Sequence, residues 1–136
     1  KEGFSPYVFE DVAIKMLQRL GYDADAVEHG RAAIAWLKTQ SCDLVLLDMV
    51  MEKNFDGLDT YRAILEFQPD QTCVIVTGYA ETERVLKALE LGVSDRLCKP
   101  YTLEGLSMTV QKALKQRLTR KVEVNSNRSM FKENKL

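Results

Sequence analysis

Apolar residues recur at helical spacing from Val8 to Leu20, at Phe9, Val12, Ala13, Met16, Leu17 and Leu20, and Gly21 stands in the stop position. Ala24-Asp25-Ala26-Val27 is a short strand candidate. Arg31 to Lys38 reads as a second helix with Ala33, Ile34 and Leu37 inward. Leu44-Val45-Leu46-Leu47 is different: it is a continuous apolar run rather than an alternating one. A strand buried on both faces has this pattern, which predicts a parallel sheet covered by helices. After a polar loop over Glu52 to Gly57, Leu58 to Phe67 predicts a third helix, ended near Pro69. Cys73-Val74-Ile75-Val76 is a second doubly buried strand, and Thr82 to Leu91 a fourth helix with Gly92 as its stop. Leu97-Cys98 is a short strand, and Thr102 can cap a fifth helix from Leu103 to about Leu118.

Strict alternation of strands and helices predicts an α/β fold, a doubly wound parallel sheet built from βαβ crossovers. In such sheets sites form beyond the carboxyl ends of the strands. Three residues occupy such positions: Asp48, Thr77 and Lys99. A carboxylate can attack an activated phosphoryl group and form an acyl phosphate. The transferring group spreads negative charge over its equatorial oxygens, so the rest of the task is neutralisation and orientation. A Lys ammonium supplies a point charge and a Thr hydroxyl a hydrogen bond. Gly78 would keep the approach open. Each residue alone is a weak signal; the three at successive strand ends form a specific one.

Composition narrows the class. The 136 residues are 46% hydrophobic and 29% charged, enough for the core and surface of one domain, and the net charge of −1 gives no field for nucleic acid or an acidic membrane. No apolar run is long enough to span a bilayer and no signal-peptide pattern opens the chain. Cys42, Cys73 and Cys98 are odd in number and form no C-x-x-C pair; Cys73 and Cys98, inside apolar runs, read as buried reduced thiols of a cytoplasmic protein. His29 lies in a polar stretch and reads as a surface residue.

Several stretches resemble the receiver domain of two-component signalling. Leu44 to Met51 followed by Asp56-Gly57 looks like its motif around the phosphorylated aspartate. Val74-Ile75-Val76-Thr77-Gly78-Tyr79 is similar to its strand with the signalling Thr or Ser, and Lys99-Pro100-Tyr101 to its Lys-Pro-aromatic motif. Leu20-Gly21-Tyr22 and Ala88 to Val93 match its helix ends. The resemblance covers roughly residues 9–118, leaving 119–136 as tail or linker. It implies a flavodoxin-like (βα)5 fold and phosphotransfer to Asp48 from a histidine kinase or phosphotransfer domain. It also implies a self-catalysed reaction with Mg²⁺ held by Asp48 and the carbonyl near Val50. Thr77 and Lys99 would bind the phosphoryl oxygens, with Gly78 and Pro100 flanking them, and Lys99-Pro100 would be cis. The fragments Asp59-Thr60-Tyr61 and Gly78-Tyr79-Ala80 are similar to receivers of hybrid sensor kinases.

The chain departs from this pattern at its start. The family's first strand ends in an acidic pair that holds Mg²⁺, and counting back places that pair at Phe4 and Ser5, neither of them acidic. Glu10 and Asp11 fall too late, within the first helix, and read as its solvated face. The first strand is therefore expected to be missing or incomplete. The gap could be filled by Lys121-Val122-Glu123-Val124-Asn125, or by another chain in a strand-exchanged homodimer. Met51-Glu52 replaces the family's Met-Pro turn, and Arg96 stands where its switch aromatic falls. Tyr79 and Tyr101 are candidates for an aromatic output surface. Three functions compete on this reading: a phosphoacceptor domain, a degenerate receiver that binds partners without phosphorylation, and a flavodoxin-like nucleotide or flavin binder. No Gly-rich phosphate loop supports the third. Nothing beyond Leu118 is long enough for a DNA-binding output domain.

Overall fold

The structure, a computed structural model, describes residues 3–4, 11–50, 54–78 and 82–134, with side chains for 13–50, 54–78 and 82–119. Ten elements follow one another: β1 (Gly3–Phe4), α1 (Asp11–Arg19), β2 (Asp23–Ala24), α2 (Gly30–Thr39), β3 (Val45–Asp48), α3 (Gly57–Phe67), β4 (Cys73–Thr77), α4 (Glu83–Leu91), β5 (Asp95–Cys98) and α5 (Leu103–Asn134). All strand pairs are parallel. β1 lies beside β2, and β3, β4 and β5 form a second ladder in that order. Parallel neighbours need a crossover, and a helix supplies each one. The fold is the alternating α/β architecture with parallel strands that the sequence pattern predicts.

Residues in β3 and β4 alternate between two cores. Val45, Leu47, Cys73 and Ile75 face a cluster with Ala33 and Leu37 of α2, Leu58, Tyr61 and Ile64 of α3, and Val85 and Ala88 of α4. Leu44, Leu46, Val74, Val76 and Leu97 face the other side, against Ala13 and Leu17 of α1 and Leu106, Val110, Ala113 and Leu114 of α5. With helices on both faces, each strand residue meets a side-chain layer, so an alternating polar pattern would strand polar groups in one core or the other. That is the physical source of the unbroken apolar runs.

The helix ends follow capping chemistry. Thr82 caps α4 by accepting from the Val85 amide at 3.2 Å, and Gly92 closes the helix at φ 123°, in the left-handed region that favours glycine. Thr102 accepts from the Gly105 amide at 3.0 Å, as its position before α5 predicts. His29, read as a surface residue, instead caps α2: its Nδ1 accepts from the Ala32 amide at 3.1 Å, and the ring is half-buried.

Three expectations are corrected. The strand placed at residues 24–27 is shorter and earlier, at Asp23–Ala24, and Val27 packs against the α2–α3–α4 core instead. Gly3–Phe4 pairs with β2 in register Gly3↔Asp23 and Phe4↔Ala24; at two residues, and paired among the described residues with β2 alone, the first strand is incomplete, as expected. Residues 121–125 are helical within α5 and fill no gap in the sheet, and that helix runs on past Leu118 to Asn134. Helical spacing near Lys121 is carried by Lys, Arg, Glu and Val without a Gly or Pro to stop it. Cys98 is exposed rather than buried, because it sits at the open end of β5. Glu10 and Tyr79 lie outside the described residues, as does the side chain of Asp11. Among the described residues no helix is long and apolar enough to cross a membrane.

Candidate functional site

Registers bring the three predicted residues to one edge. Asp48 pairs with Val76 and Thr77 with Cys98, so the carboxyl ends of β3, β4 and β5 lie side by side. Two backbone hydrogen bonds continue the ladder past the strand ends: Met49 N–H donates to the Val76 carbonyl and Lys99 N–H to the Thr77 carbonyl, both at 2.8 Å. Asp48 is 7% exposed and Thr77 2%. Lys99 Nζ donates to Asp48 Oδ2 at 2.6 Å, while the Val50 amide donates to Asp48 Oδ1 at 3.0 Å. Each carboxylate oxygen thus has its own donor, which is how a charge at such low exposure is tolerated. Tyr101, beyond the cis Lys99-Pro100 bond, packs against the α1–α5 core.

The loop after Asp48 is closed by backbone contact. Gly57 N–H donates to the Met49 carbonyl at 3.0 Å, and a Cβ on Gly57 would sit 2.9 Å from the Asp48 carbonyl oxygen and 3.1 Å from Met49 Cα. Only a residue without a side chain lets the start of α3 approach the acceptor strand this closely. Gly78 differs: a Cβ there meets nothing within 4 Å, so crowding does not require glycine at that position.

An acidic network that the apolar pattern did not reveal borders the same edge. Asp56 caps α3: Asp56 Oδ1 accepts from the Asp59 amide and Asp59 Oδ2 from the Asp56 amide, each at 3.0 Å. Arg84, in the first turn of α4, reaches across to both residues. Its Nε lies 2.5 Å from Asp56 Oδ2, and one of its terminal nitrogens lies 2.9 Å from Asp56 Oδ1 and 3.1 Å from Asp59 Oδ1. Burial pushes the Asp56 carboxyl up, but the Arg84 guanidinium and the hydrogen bonds with Asp59 outweigh it and hold the group below the ordinary carboxylate range. The Asp-x-x-Asp spacing was a legible sign of a capping box; its partner 25 positions beyond Asp59 was not.

Among the described residues, no group of three His, Cys, Asp or Glu side chains could hold a metal ion. Mg²⁺ takes oxygen ligands in a near-octahedral set, usually with one or two carboxylates. Asp48 offers one carboxylate, and both its oxygens are engaged by Lys99 and Val50. Val50 turns its amide to Asp48 and its side chain to solvent, 72% exposed. The described residues do not complete the Mg²⁺ site expected at Asp48 and Val50, and Phe4, at one of the two positions expected for an acidic pair, is in β1.

Comparison with known proteins agrees with this architecture. The family model "Response regulator receiver domain" matches residues 8–111. The chain belongs to this family: it is a receiver domain of the two-component response regulators. It is 34% identical over 99 residues to the transcriptional regulatory protein ZraR of Escherichia coli, covering 73% of this chain and 22% of that protein. It is 30% identical over 124 residues to the transcription factor SKN7 of Saccharomyces cerevisiae, covering 87% of this chain and 20% of that protein. The chain thus spans about a fifth of the length of these relatives. Among solved structures, a CheY-like receiver domain protein from Methanospirillum hungatei superposes with TM-score 0.75 at 20% identity, over 82% of this chain and 89% of that one. NtrX from Brucella abortus superposes with TM-score 0.77 at 24% identity, over 88% of this chain and 28% of that one.

Proposed function

We propose that this receiver domain accepts a phosphoryl group on Asp48 from the phosphohistidine of a histidine kinase or phosphotransfer domain. The observation that carries the reading is the 2.6 Å contact of Lys99 Nζ with Asp48 Oδ2 at the edge where Thr77 ends β4. An Asp48 oxygen attacks phosphorus, the P–N bond of the donor imidazole breaks, and the electron pair leaves with the imidazole ring. Lys99 then neutralises an oxygen of the transferred group rather than the carboxylate. The Thr77 hydroxyl serves as a hydrogen-bond donor to another oxygen, with Gly78 and Pro100 flanking the pair. The family resemblance adds Mg²⁺ as the counter-charge to the incoming phosphoryl oxygens. The described residues supply only Asp48 toward it. A kinase or phosphotransfer domain is the partner this chemistry requires.

A second reading rests on that single carboxylate: a degenerate receiver that binds partners without being phosphorylated. One experiment separates the two. The protein is incubated with acetyl phosphate and Mg²⁺ and its intact mass is measured. The phosphoacceptor reading expects a gain of one phosphoryl group, lost in Asp48→Asn. An unchanged mass, with the fold intact, favours the interaction module.

A further inference from the structure

The net charge of −1 hides a division along the chain. Residues 1–111 hold 11 Lys and Arg against 18 Asp and Glu, whereas residues 112–136 hold 8 against 2. An acidic body is thus followed by a basic segment, and α5 carries that segment as helix to Asn134. Among the described residues, Leu114 is the last residue of α5 to enter a core. At about 1.5 Å per residue, the stretch from Leu114 to Asn134 measures about 30 Å. That is about three Debye lengths at 0.1 M salt, so the body's negative charge is screened at the far end of the helix.

One face of α5 changes character where the core ends. At about 100° per residue, backbone positions 106, 110 and 114 share one sector of the helix. Leu106, Val110 and Leu114 are buried there. Positions 117, 121, 128 and 132 continue that sector, and they are Arg, Lys, Arg and Lys. Arg117 is held by the body, with a terminal nitrogen 3.0 Å from Asp43 Oδ1, and so fixes the base of the row. The row from 117 to 132 is about 22 Å long. A face built to enter another core would stay apolar, whereas a line of cations suits a linear polyanion. Leu118, Val122, Val124, Met130 and Phe131 are spread over most of the helix circumference, so they give no apolar face of the kind a membrane-surface helix needs. Phe131 is the sole aromatic residue of 112–136, too little for the stacking that grips single strands. Asn125, Ser126 and Asn127 stand between the cations and are residue types that hydrogen-bond phosphate oxygens. We propose that the second half of α5 is a nucleic-acid-binding arm, with Lys121, Arg128 and Lys132 set along the phosphate backbone of a DNA duplex without reading its sequence. The arm does not depend on the phosphoacceptor reading.

The test titrates the intact chain against a fluorescein-labelled DNA duplex of about 20 base pairs and follows anisotropy as salt is raised. Three phosphate contacts give a log–log salt slope of about −2.7, which is about 40-fold weaker binding at 200 mM than at 50 mM NaCl. Duplexes of unrelated sequence should bind alike. Lys121→Gln, Arg128→Gln and Lys132→Gln should each reduce the slope by about 1, and the triple variant should lose binding. None of the three belongs to the described cores or to the crevice, so the melting temperature should hold. Replacing the exposed α1 cations, as Lys15→Gln with Arg19→Gln, should leave binding unchanged. No binding at 50 mM NaCl overturns the arm, as does binding undiminished in the triple variant or lost equally in the α1 variant. Tighter binding to the single strand than to the duplex overturns the duplex assignment. Dimerisation at low salt that the triple variant abolishes, with the duplex left unbound, assigns the row to a second copy of the chain and overturns the proposal.

Discussion

Lys99 Nζ and Asp48 Oδ2 lie 2.6 Å apart although 51 positions separate them in the chain. The carboxylate side chain is 8% exposed and the lysine side chain 32%. A carboxylate so far from water depends on its ammonium partner, while the lysine retains some hydration of its own. Lys99→Met should therefore leave an under-compensated charge at Asp48 and destabilise the fold by about 1–3 kcal/mol, below the range for a fully buried pair because Lys99 is partly hydrated. Urea unfolding checks it: the midpoint should fall at constant slope. An unshifted midpoint would mean that Val50 and solvent suffice to hold the carboxylate. The same variant should also fail to gain mass with acetyl phosphate.

Two glycines near the crevice should respond differently to the same substitution. Gly57→Ala places a methyl 2.9 Å from the Asp48 carbonyl oxygen, where only backbone could yield. Overpacking of this kind costs about 1–3 kcal/mol and should displace the acceptor strand end. Gly78→Ala meets open space and should change stability by less than about 0.5 kcal/mol. Thermal or urea denaturation of the pair decides the matter; equal losses at both sites would contradict the close approach of α3 to β3.

Acid should remove the contribution of the Arg84–Asp56 contact. The folded state holds the Asp56 carboxyl below its ordinary range, despite the opposing push of burial, so folding favours the ionised form. Stability from this group is then fully present above the unfolded carboxylate value of about 4 and is lost as pH falls through the lower folded value. Arg84 remains charged throughout. The stability difference between the unaltered protein and Arg84→Gln should be constant from neutral pH down to about 5 and shrink below about 4. A difference that persists undiminished in strong acid would show that Arg84 contributes through packing rather than charge.

The thiols should react in a fixed order. Burial pushes Cys42 up to about 12, with the neighbouring Asp43 adding to it, and burial pushes Cys73 well above its ordinary value. Neither forms thiolate at pH 8, and thiolate is the species that reacts. Cys98 is exposed. Iodoacetamide on the native protein should label Cys98 alone, and Cys42 and Cys73 only after denaturation, as read by peptide mass mapping. Early labelling of Cys73 would mean that the first residue of β4 opens to solvent under native conditions.

The apolar runs at residues 44–47 and 73–76 determined the doubly covered sheet by themselves, because a strand with helices on both faces has no solvent side on which to place a polar residue. The Asp, Thr and Lys of the candidate site were legible for a related reason: Asp48 and Thr77 are the first polar groups after those runs, and Lys99 the first after the short strand Leu97-Cys98, where the strands reach water. The start of the chain was harder to read, since a two-residue strand such as Gly3–Phe4 carries no periodicity. His29 and Cys98 were misjudged because their surroundings come from elements distant in sequence or from the position of the strand end. Arg84 was invisible as a partner of Asp56, for the same reason that Lys99's distance from Asp48 could only be expected. Local sequence fixes which face of an element is apolar; which charged group from another element lands opposite a carboxylate depends on strand register and helix packing, and those exist only once the chain has folded.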